Sequence, residues 1–358
     1  MGYRLTIEPL GQAVEVEEGQ TMLDACLRRG VWLPHACCHG LCGTCKVQVA
    51  QGEVEHGNAS PFALMDFERA EGYALACVAT LHDDAVIEAD VDEDPDALYL
   101  PLEDRQGEVV RLEDLTPTIK GIWLRPDRPV EFQAGQYLNL YLPGIEGPRA
   151  FSMANGPDDE LLELHVRRVR DGVATGWLHE HLKVGDRLHM TTPMGRFFVR
   201  KSAQRPVILL AGGSGLSSPK SMLADLLAED YPHEIWLFQG ARDRTELYFA
   251  SHFEELAQQH PQFHYIPVLS NLTADDPWTG ARGFVHEELK RRFSHDNGAT
   301  ADFRGNQAYL CGPPPMIEAC IATLMQGRLF EHDIFTEKFL SAADATAAAR
   351  RSPLFRTL

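Results

Sequence analysis

The sequence contains no run of apolar residues close to the ~20 that a membrane-spanning helix needs. Its first residues, MGYRLTIEPL, also lack the basic stretch followed by a long apolar stretch that marks a secretory signal. Together these absences predict a cytoplasmic protein without membrane association. Because the cytoplasm is reducing, disulfide bonds are not expected, although the chain has 8 cysteines.

Positive charge is scarce, with 33 Lys and Arg against 52 Asp and Glu and a formal net charge of −19. A nucleic-acid partner is therefore not expected, because polyanions bind basic surfaces. Residues 1–104 hold 20 Asp and Glu against 5 Lys and Arg, so most of the negative excess lies in the first part of the chain. This acidity is compatible with a basic protein partner and equally with a solvated face. The 15 histidines show no H-E-x-x-H or similar ligand spacing.

The pattern of strands and helices changes twice along the chain, whose 358 residues suit two or three domains. Residues 1–100 form short alternating strands around one amphipathic helix, which predicts a small mixed sheet. Residues 101–203 are rich in strands separated by Pro and Gly, which predicts an antiparallel barrel. Residues 204–358 alternate apolar strands with helices, which predicts a parallel α/β sheet. The acidic, proline-containing segment 90–108 is the expected linker at the first boundary.

The segment HACCHGLCGTCK, residues 35–46, places several cysteines in a short loop rich in glycine. Cys37, Cys42 and Cys45 follow the spacing C-x4-C-x2-C, and Cys77 comes 32 residues later. This is the spacing of plant-type [2Fe-2S] clusters. The glycines permit the tight turns that aim backbone N–H groups at sulfur. The loop and the mixed sheet together predict a β-grasp ferredoxin domain with these four cysteines as ligands.

Two alternatives stay open for this loop. Cys42 and Cys45 alone form a C-x2-C pair that two more cysteines could close around structural zinc, although zinc sites usually carry two such pairs. Cys38 could also replace Cys37 as the first ligand, with three residues between it and Cys42. The spacing favours the iron–sulfur cluster over zinc, and Cys37 over Cys38.

The tetrapeptide RAFS, residues 149–152, resembles the R-x-[YF]-S element of flavoproteins related to ferredoxin–NADP reductase. In such an element Arg149 would pair with the flavin pyrophosphate, Phe151 would lie against the isoalloxazine, and Ser152 would hydrogen-bond near N5. Phe151 stands where tyrosine is frequent, so stacking is retained and one hydroxyl contact is lost. About twenty residues later, Gly172 and Thr175 open a predicted helix whose N-terminus can receive a diphosphate. A diphosphate site predicts FAD rather than FMN.

Two segments of the third predicted domain have the features of nucleotide-binding turns. AGGSGLSSP, residues 211–219, ends an apolar strand and opens a helix, an arrangement that receives phosphates on backbone N–H groups. Flavoproteins of this kind generally have proline where this sequence has Ser218. CGPPPM, residues 311–316, follows a strand and precedes a helix. The residues expected to bind the nucleotide are Gly212, Gly213, Ser214, Gly215, Cys311, Gly312 and Pro313.

The nucleotide is expected to be NADH rather than NADPH. Arg242 and Arg244 follow the second strand of the third domain, where a 2′-phosphate would bind. Asp243 between them suits a free ribose hydroxyl instead. These opposed charges leave NADPH open as the less favoured electron donor.

The order of ferredoxin segment, flavin barrel and nicotinamide domain is similar to that of the reductase components of multicomponent bacterial aromatic monooxygenases, over almost the whole chain. Stretches such as GVWLPHAC, SPFALMDFER and CGPPPMIEA resemble especially the phenol hydroxylase reductases. The resemblance implies an NAD(P)H oxidoreductase that passes electrons from NADH through FAD and a [2Fe-2S] cluster to a separate diiron hydroxylase. FAD is needed because NADH gives up two electrons as hydride, whereas the cluster accepts one at a time.

The resemblance also implies roles that the residue pattern alone does not assign. Cys311 would lie beside the path of the hydride, and Glu337 and Phe339 would approach the flavin edge. The expected catalytic residues are therefore Ser152, Cys311 and Glu337. The main-chain groups implied to contact the flavin are those of His165, Val166 and Arg167.

Other functions stay open. The same chemistry could serve a Rieske dioxygenase or a CDP-sugar deoxygenation system, which would change only the electron acceptor. A protein of a different class, a non-catalytic interaction protein stabilised by zinc, would keep a vestigial reductase fold. Such a protein would lack the visible colour of flavin and iron–sulfur groups.

Overall fold

The structure is a computed structural model of the chain, and it describes residues 2–91, 94–294 and 301–339. The described residues form two compact units. The first comprises residues up to 104 together with 192–196, and the second comprises residues 105–191 and those from 197 onward. None of the helices in the described ranges has the length and apolarity needed to span a bilayer.

The first unit is a mixed sheet packed on a short helix. Its strands are β1 (Gly2–Glu8), β2 (Gln12–Glu17), β3 (Lys46–Gln51), β4 (Val54–Glu55), β5 (Tyr73–Leu75), β6 (Thr80–Leu81) and β7 (Ala85–Glu88). Its helices are α1 (Met22–Arg28) and α2 (Asp66–Ala70). The main sheet has the order β2-β1-β7-β3-β5, in which β1 and β7 are parallel, and β4 pairs with β6 separately.

The core of the first unit follows from alternation along its strands. Leu5 and Ile7 of β1 are fully buried, because alternate residues of a strand point to the same face. Cys26 of α1 lies in the same kind of apolar environment, with 0% exposure. Thr21 begins α1 as its N-cap, and its hydroxyl accepts the N–H of Asp24 at 3.3 Å. The predicted mixed sheet is confirmed, and the cysteine loop connects α1 to β3.

The first half of the second unit is largely an antiparallel sheet that nearly closes into a barrel. Its strands are β8 (Glu103–Asp114), β9 (Ile119–Pro126), β10 (Tyr137–Tyr141), β11 (Arg149–Ser152), β12 (Leu162–Arg167) and β13 (Arg187–Met194), with helix α3 (Val173–Glu180) between the last two. Residues 103–104 of the first strand and 192–194 of the last strand are counted in the first unit. The order is β11-β10-β13-β8-β9-β12. A bridge between Met153 and Leu164 joins the two ends of this order, which confirms the predicted barrel.

The second half of this unit is a parallel α/β sheet. Its strands are β14 (Val207–Gly212), β15 (Ile235–Ala241), β16 (Phe263–Leu269), β17 (Ala281–Arg282), β18 (Gln307–Gly312) and β19 (Ile334–Lys338). Its helices are α4 (Ser217–Ala228), α5 (Ala250–Gln259), α6 (Val285–Arg292) and α7 (Pro314–Gln326). Short 3₁₀ turns occupy Lys201–Ala203, Gly213–Leu216, Arg244–Glu246 and Glu331–Asp333.

The strand order of the parallel sheet, β17-β16-β15-β14-β18-β19, reverses direction between β14 and β18. β14 is buried on both faces: Val207 and Leu209 belong to one apolar core, and Ile208 and Leu210 belong to the other. This explains its uninterrupted apolar sequence, since helices cover both sides of a parallel sheet. Parallel α/β proteins bind ligands at the carboxyl ends of the strands where the order reverses.

Candidate functional site

The cysteine loop has a backbone that only a few residue types adopt easily. Cys38, Gly40 and Gly43 have positive φ angles of 55°, 73° and 77°. At Gly40 a Cβ atom would lie 3.3 Å from the Cα of Ala59 and from the side chain of Val78. Glycine therefore allows the loop to approach its neighbours closely, as the sequence predicts.

The four cysteines predicted as ligands come together as two pairs. The thiols of Cys37 and Cys42 are hydrogen-bonded to each other, and so are those of Cys45 and Cys77. The hydrogen bond with Cys37 lowers the pKa of Cys42 to about 5, while the same bond raises the pKa of Cys37. In the second pair, the pKa of Cys45 is lowered and that of Cys77 is raised for the same reason. The two predicted ligands of each pair are therefore close enough to share a hydrogen bond.

This arrangement in pairs fits a two-iron cluster better than a single zinc ion. A [2Fe-2S] cluster takes two thiolates on each iron, whereas structural zinc needs four ligands around one point. In addition, the N–H of His39 donates to Cys37 Sγ at 3.5 Å, the kind of backbone donor expected around cluster sulfurs. The choice of Cys37 over Cys38 as the first ligand stays a prediction.

The predicted flavin tetrapeptide forms β11 of the barrel. Ser152 is buried, with 6% exposure, and Phe151 is half-buried against the barrel core. Arg149 holds the loop that precedes the strand, since its Nη1 donates to three backbone carbonyl groups within 3.2 Å. Those carbonyl groups belong to Glu146, Gly147 and Pro148.

The N-terminus of α3 can accept an anion. Its N-cap is Gly172, which has no side chain to accept the first N–H groups of the helix. These groups suit the diphosphate predicted at this place. The hydroxyl of Thr175 accepts the N–H of Val169 at 3.1 Å, so Thr175 also shapes the loop before the helix.

The two predicted nucleotide-binding turns meet at the carboxyl ends of the paired strands β14 and β18. A Cβ atom on Gly215 would lie 2.5 Å from the carbonyl oxygen of Cys311. A Cβ atom on Gly312, whose φ is 144°, would lie 2.9 Å from the carbonyl oxygen of Gly212. The absence of side chains therefore lets the turns touch, at the position where the strand order reverses.

Two of the residues predicted as catalytic, Ser152 and Cys311, converge on a carboxylate oxygen of the third, Glu337. Ser152 Oγ of the barrel donates to Glu337 Oε2 at 3.0 Å. Cys311 Sγ, at the end of β18, lies 3.6 Å from the same oxygen. Ser218 Oγ, which sequence reasoning did not select for the site, donates to it at 2.9 Å. Phe339 continues from β19 and its N–H donates to the carbonyl oxygen of Gly312 at 3.1 Å.

The protonation of this centre is governed by burial. Burial of the Glu337 carboxyl group raises its pKa, although the hydrogen bonds from Ser218, Ser152 and Cys311 oppose this effect. Burial also raises the pKa of Cys311 well above its usual value, and the charge of Glu337 raises it further. Cys311 is therefore a neutral thiol at physiological pH, able to donate to the carboxylate.

A buried ionic network beside this centre escaped sequence reasoning. Lys220 Nζ of α4 lies 2.8 Å from Glu163 Oε2, and Glu163 Oε1 lies 2.8 Å from His165 Nε2. The hydroxyl of Tyr248 lies 3.2 Å from both His165 Nδ1 and the carbonyl oxygen of Gly213. The network therefore joins strand β12 of the barrel to the glycine turn of the nucleotide-binding half.

The network has unusual pKa values because it is buried. Burial alone would raise the pKa of Glu163, but its hydrogen bond to His165 and the charge of Lys220 lower the pKa to about 2. Burial lowers the pKa of His165, against the hydrogen bond to Glu163. The signal was present in the sequence, since LELHVR places Glu163 and His165 between the apolar residues of a strand.

Along β12, the main-chain groups of His165, Val166 and Arg167 pair with strand β9. Arg167 also lies against the glycine turn, because its Nη1 is 2.7 Å from where a Cβ atom of Gly213 would be. The implied main-chain contacts of these three residues with flavin stay a prediction.

Lys220→Met will destabilise the second unit by about 3–5 kcal/mol, because it leaves the buried Glu163 carboxylate without its cation. The expected fall in the midpoint of thermal unfolding is about 10 °C. The measurement is thermal unfolding, monitored by the release of flavin and by circular dichroism.

The matched control is Lys201→Met at a more exposed position. Lys201 pairs with Asp225 at 2.8 Å and with Glu229 at 2.7 Å, but its side chain is 27% exposed against 15% for Lys220. Its loss is expected to cost about 1 kcal/mol or less. Equal destabilisation by the two changes would show that the network is not an important contribution to stability.

The residues around the adenosine end of the predicted nucleotide site are paired with one another. Arg242 lies 3.6 Å from Glu246, and Arg244 lies 3.8 Å from Asp276. The Oδ1 atom of Asp243 accepts hydrogen bonds from the N–H of Thr245 at 2.9 Å and from its hydroxyl at 2.6 Å. Those hydrogen bonds lower the pKa of Asp243, so a negative charge stands beside two arginines that already have carboxylate partners.

Family models match the chain in three consecutive regions. Residues 5–82 match a 2Fe-2S iron–sulfur cluster binding domain. Residues 121–199 match an oxidoreductase FAD-binding domain, and residues 209–321 match an oxidoreductase NAD-binding domain. The predicted fold class and the predicted cofactors, FAD, [2Fe-2S] and NADH, are thereby confirmed. The predicted boundaries at residues 100 and 203 stay predictions.

Characterised relatives cover the whole length of the chain. It is 57% identical to the reductase component of phenol 2-monooxygenase from Pseudomonas sp. strain CF600, over 100% of both chains. It is 56% identical to the phenol hydroxylase P5 protein of Acinetobacter pittii, over 99% of both. The crystal structure of an Amycolatopsis cytochrome P450 reductase is similar with a TM-score of 0.86 and 37% identity, covering 94% of this chain and 98% of that one.

A cluster-binding ferredoxin domain, an FAD-binding barrel and a nicotinamide-nucleotide domain in one chain define an iron–sulfur flavoprotein reductase. Within that class, the sequence identity to phenol hydroxylase reductases decides the family, because it extends over all three domains. The chain belongs to the family of phenol hydroxylase reductase components.

Proposed function

We propose that the chain is the reductase component of a phenol-type aromatic monooxygenase. It oxidises NADH and passes the electrons through FAD and a [2Fe-2S] cluster to a diiron hydroxylase. The observation that carries this proposal is the convergence of Ser152 from the barrel and Cys311 from the nucleotide-binding half on Glu337. That convergence joins the flavin-binding and nicotinamide-binding halves at one chemical centre.

FAD, when bound, supplies the conversion between a two-electron donor and a one-electron acceptor. The chain supplies orientation and proton handling. Glu337 Oε2 accepts the Ser152 hydroxyl and so fixes the direction of its lone pairs. The neutral Cys311 thiol donates toward the same carboxylate. The backbone of the turn at residues 311–313 would position the nicotinamide.

Cys37, Cys42, Cys45 and Cys77 would hold the cluster, since their thiols lie in two pairs and each of the two irons takes two thiolates. The excess of acidic residues in the ferredoxin part supports a hydroxylase partner with a basic docking surface. A cytoplasmic location is part of the proposal. It is supported by the absence of disulfides among the eight cysteines, all of which lie in described ranges.

A Rieske dioxygenase is the second candidate for the electron acceptor. The ferredoxin reductase of carbazole 1,9a-dioxygenase has a similar structure, with a TM-score of 0.76 and 27% identity over 95% of this chain and 99% of that one. The higher identity to phenol hydroxylase reductases favours the diiron hydroxylase.

The experiment that tests the function is an anaerobic titration of the purified chain with NADH, followed by visible spectroscopy. Both the flavin and the cluster absorption bands should bleach, and iron and acid-labile sulfide should be present in equal amounts. Stoichiometric zinc without sulfide, or a spectrum unchanged by NADH, would exclude the proposed electron path.

Asp243→Asn will lower the ratio of kcat/KM for NADH to kcat/KM for NADPH by about fivefold. The change removes one negative charge near the expected 2′-phosphate, a repulsion of about 1 kcal/mol at a solvated site. Because asparagine keeps an Oδ1 acceptor, the local turn that Asp243 caps is preserved. The measurement is the ratio of kcat/KM for the two nucleotides with ferricyanide as acceptor. An unchanged ratio would show that Asp243 does not contribute to the selection.

A further inference from the structure

A third group besides Ser152 and Cys311 contacts the Glu337 carboxylate. Ser218 Oγ donates to Glu337 Oε2 at 2.9 Å, slightly shorter than the 3.0 Å bond from Ser152. Ser218 Oγ also lies 3.9 Å from Cys311 Sγ. Ser218 therefore contacts two of the predicted catalytic residues, although it was not predicted to belong to the site.

Ser218 can act only through the groups that it touches. Its exposure is 0%, whereas Ser152 keeps 6%. A bound nucleotide therefore has no access to the Ser218 hydroxyl. It can influence the reaction through Glu337 and Cys311, and its bond to Glu337 is the shorter of the two contacts.

The two serines hold the carboxylate from different parts of the second unit. Ser152 ends strand β11 of the barrel, and Ser218 lies in the first turn of α4 in the nucleotide-binding half. Glu337 itself is on β19. Because both hydroxyls donate to Oε2, rotation of the carboxylate away from Ser152 would also break the bond to Ser218.

We propose that Ser218 is a positioning residue for the reaction with NADH, which holds the Glu337 carboxylate so that Oε2 can accept the Ser152 hydroxyl. This inference rests on the proposed function. It assigns a role to the position at which flavoproteins of this kind generally have proline. A proline there could not donate a side-chain hydrogen bond.

The test is Ser218→Ala in the holoenzyme, measured by stopped-flow bleaching of the flavin after anaerobic mixing with NADH. The limiting rate at saturating NADH should fall about tenfold, the effect of losing one hydrogen bond to a charged group. The NADH concentration that gives half the limiting rate should stay unchanged. Ser218→Thr, which keeps the hydroxyl, should restore most of the rate.

A double-mutant cycle shows whether the effect passes through Glu337. Ser218→Ala should slow the wild-type chain but have little further effect when Glu337→Gln is already present. Equal slowing in both backgrounds, or a wild-type rate in Ser218→Ala, would overturn the proposal. An effect confined to the half-saturating concentration of NADH would also overturn it.

Ser221→Ala is the matched control for loss of a buried hydroxyl in the same helix. Ser221 has 0% exposure and its Oγ donates to the carbonyl oxygen of Asn155 at 2.6 Å, with no part in the Glu337 centre. It should lower thermal stability and leave the limiting rate unchanged. A wild-type chain that fails to react with NADH would refute the proposed function itself, whereas a reactive wild type with an unaffected Ser218→Ala would refute only the role of Ser218.

Discussion

Cys42→Ala will abolish electron delivery to cytochrome c while leaving NADH-dependent reduction of ferricyanide by the flavin intact. The change removes one thiol of the Cys37–Cys42 pair, so one iron of the cluster loses a ligand. We expect the cluster absorption and the acid-labile sulfide to disappear and the flavin spectrum to remain. Cytochrome c reduction should fall to the background rate, since it requires an acceptor of single electrons after FAD.

Cys26→Ala is the matched control in the same unit. Cys26 is fully buried in α1, and burial raises the pKa of its thiol to about 12, so it behaves as an inert apolar side chain. This variant should keep the cluster and both activities. Cytochrome c reduction at the wild-type rate in Cys42→Ala would contradict the order of electron transfer from FAD to the cluster.

Glu337→Gln will slow the reaction with NADH while stabilising the fold. The variant loses the charge that accepts the two serine hydroxyls, and we expect the limiting rate of flavin bleaching to fall about 100-fold, the lower end of effects for loss of a proton-handling group. The measurement is stopped-flow spectroscopy at saturating NADH. Flavin content should be unchanged, because Gln retains the size of the side chain.

The stabilising effect of Glu337→Gln follows from the raised pKa of the buried carboxyl group. The unfolded chain binds this proton less tightly than the folded chain, so ionisation of Glu337 destabilises the fold as pH rises through the folded pKa. The gain in melting temperature should therefore be large at pH 8 and vanish below the ordinary pKa of glutamate, near pH 4.3. An equal gain at all pH values would show that the pKa of Glu337 is the same in the folded and unfolded chains, so that its ionisation does not destabilise the fold.

Glu318→Gln serves as the control for both measurements. Glu318 pairs with Lys338, the neighbour of Glu337, but its side chain is 41% exposed. Its replacement should affect neither the limiting rate nor the pH dependence of stability. The opposite directions expected for rate and stability in Glu337→Gln are typical of sites where a buried charge is kept for function.

The sequence by itself determined the parts of this protein that depend on short spacing. Three cysteines at cluster spacing, glycines where the loop turns with positive φ, and an apolar strand before each glycine turn follow from local rules. In each case the chemistry requires residues that are neighbours in the chain or alternate along one strand. The cofactors and the three-part architecture could therefore be predicted from the order of residues alone.

Only the tertiary structure decided which distant residues share a site. Ser152 and Glu337 are 185 residues apart, and their contact depends on how β11 and β19 lie in the second unit. Ser218 is distinguished in the sequence only as a serine where related flavoproteins generally have proline, and that departure does not predict its contact with Glu337. Likewise, Lys220 belongs to the buried ionic network only because α4 places it beside Glu163 of the barrel. Hydrogen bonds and ion pairs between distant elements produce no periodic pattern in the sequence, so only the packing of those elements in three dimensions shows them.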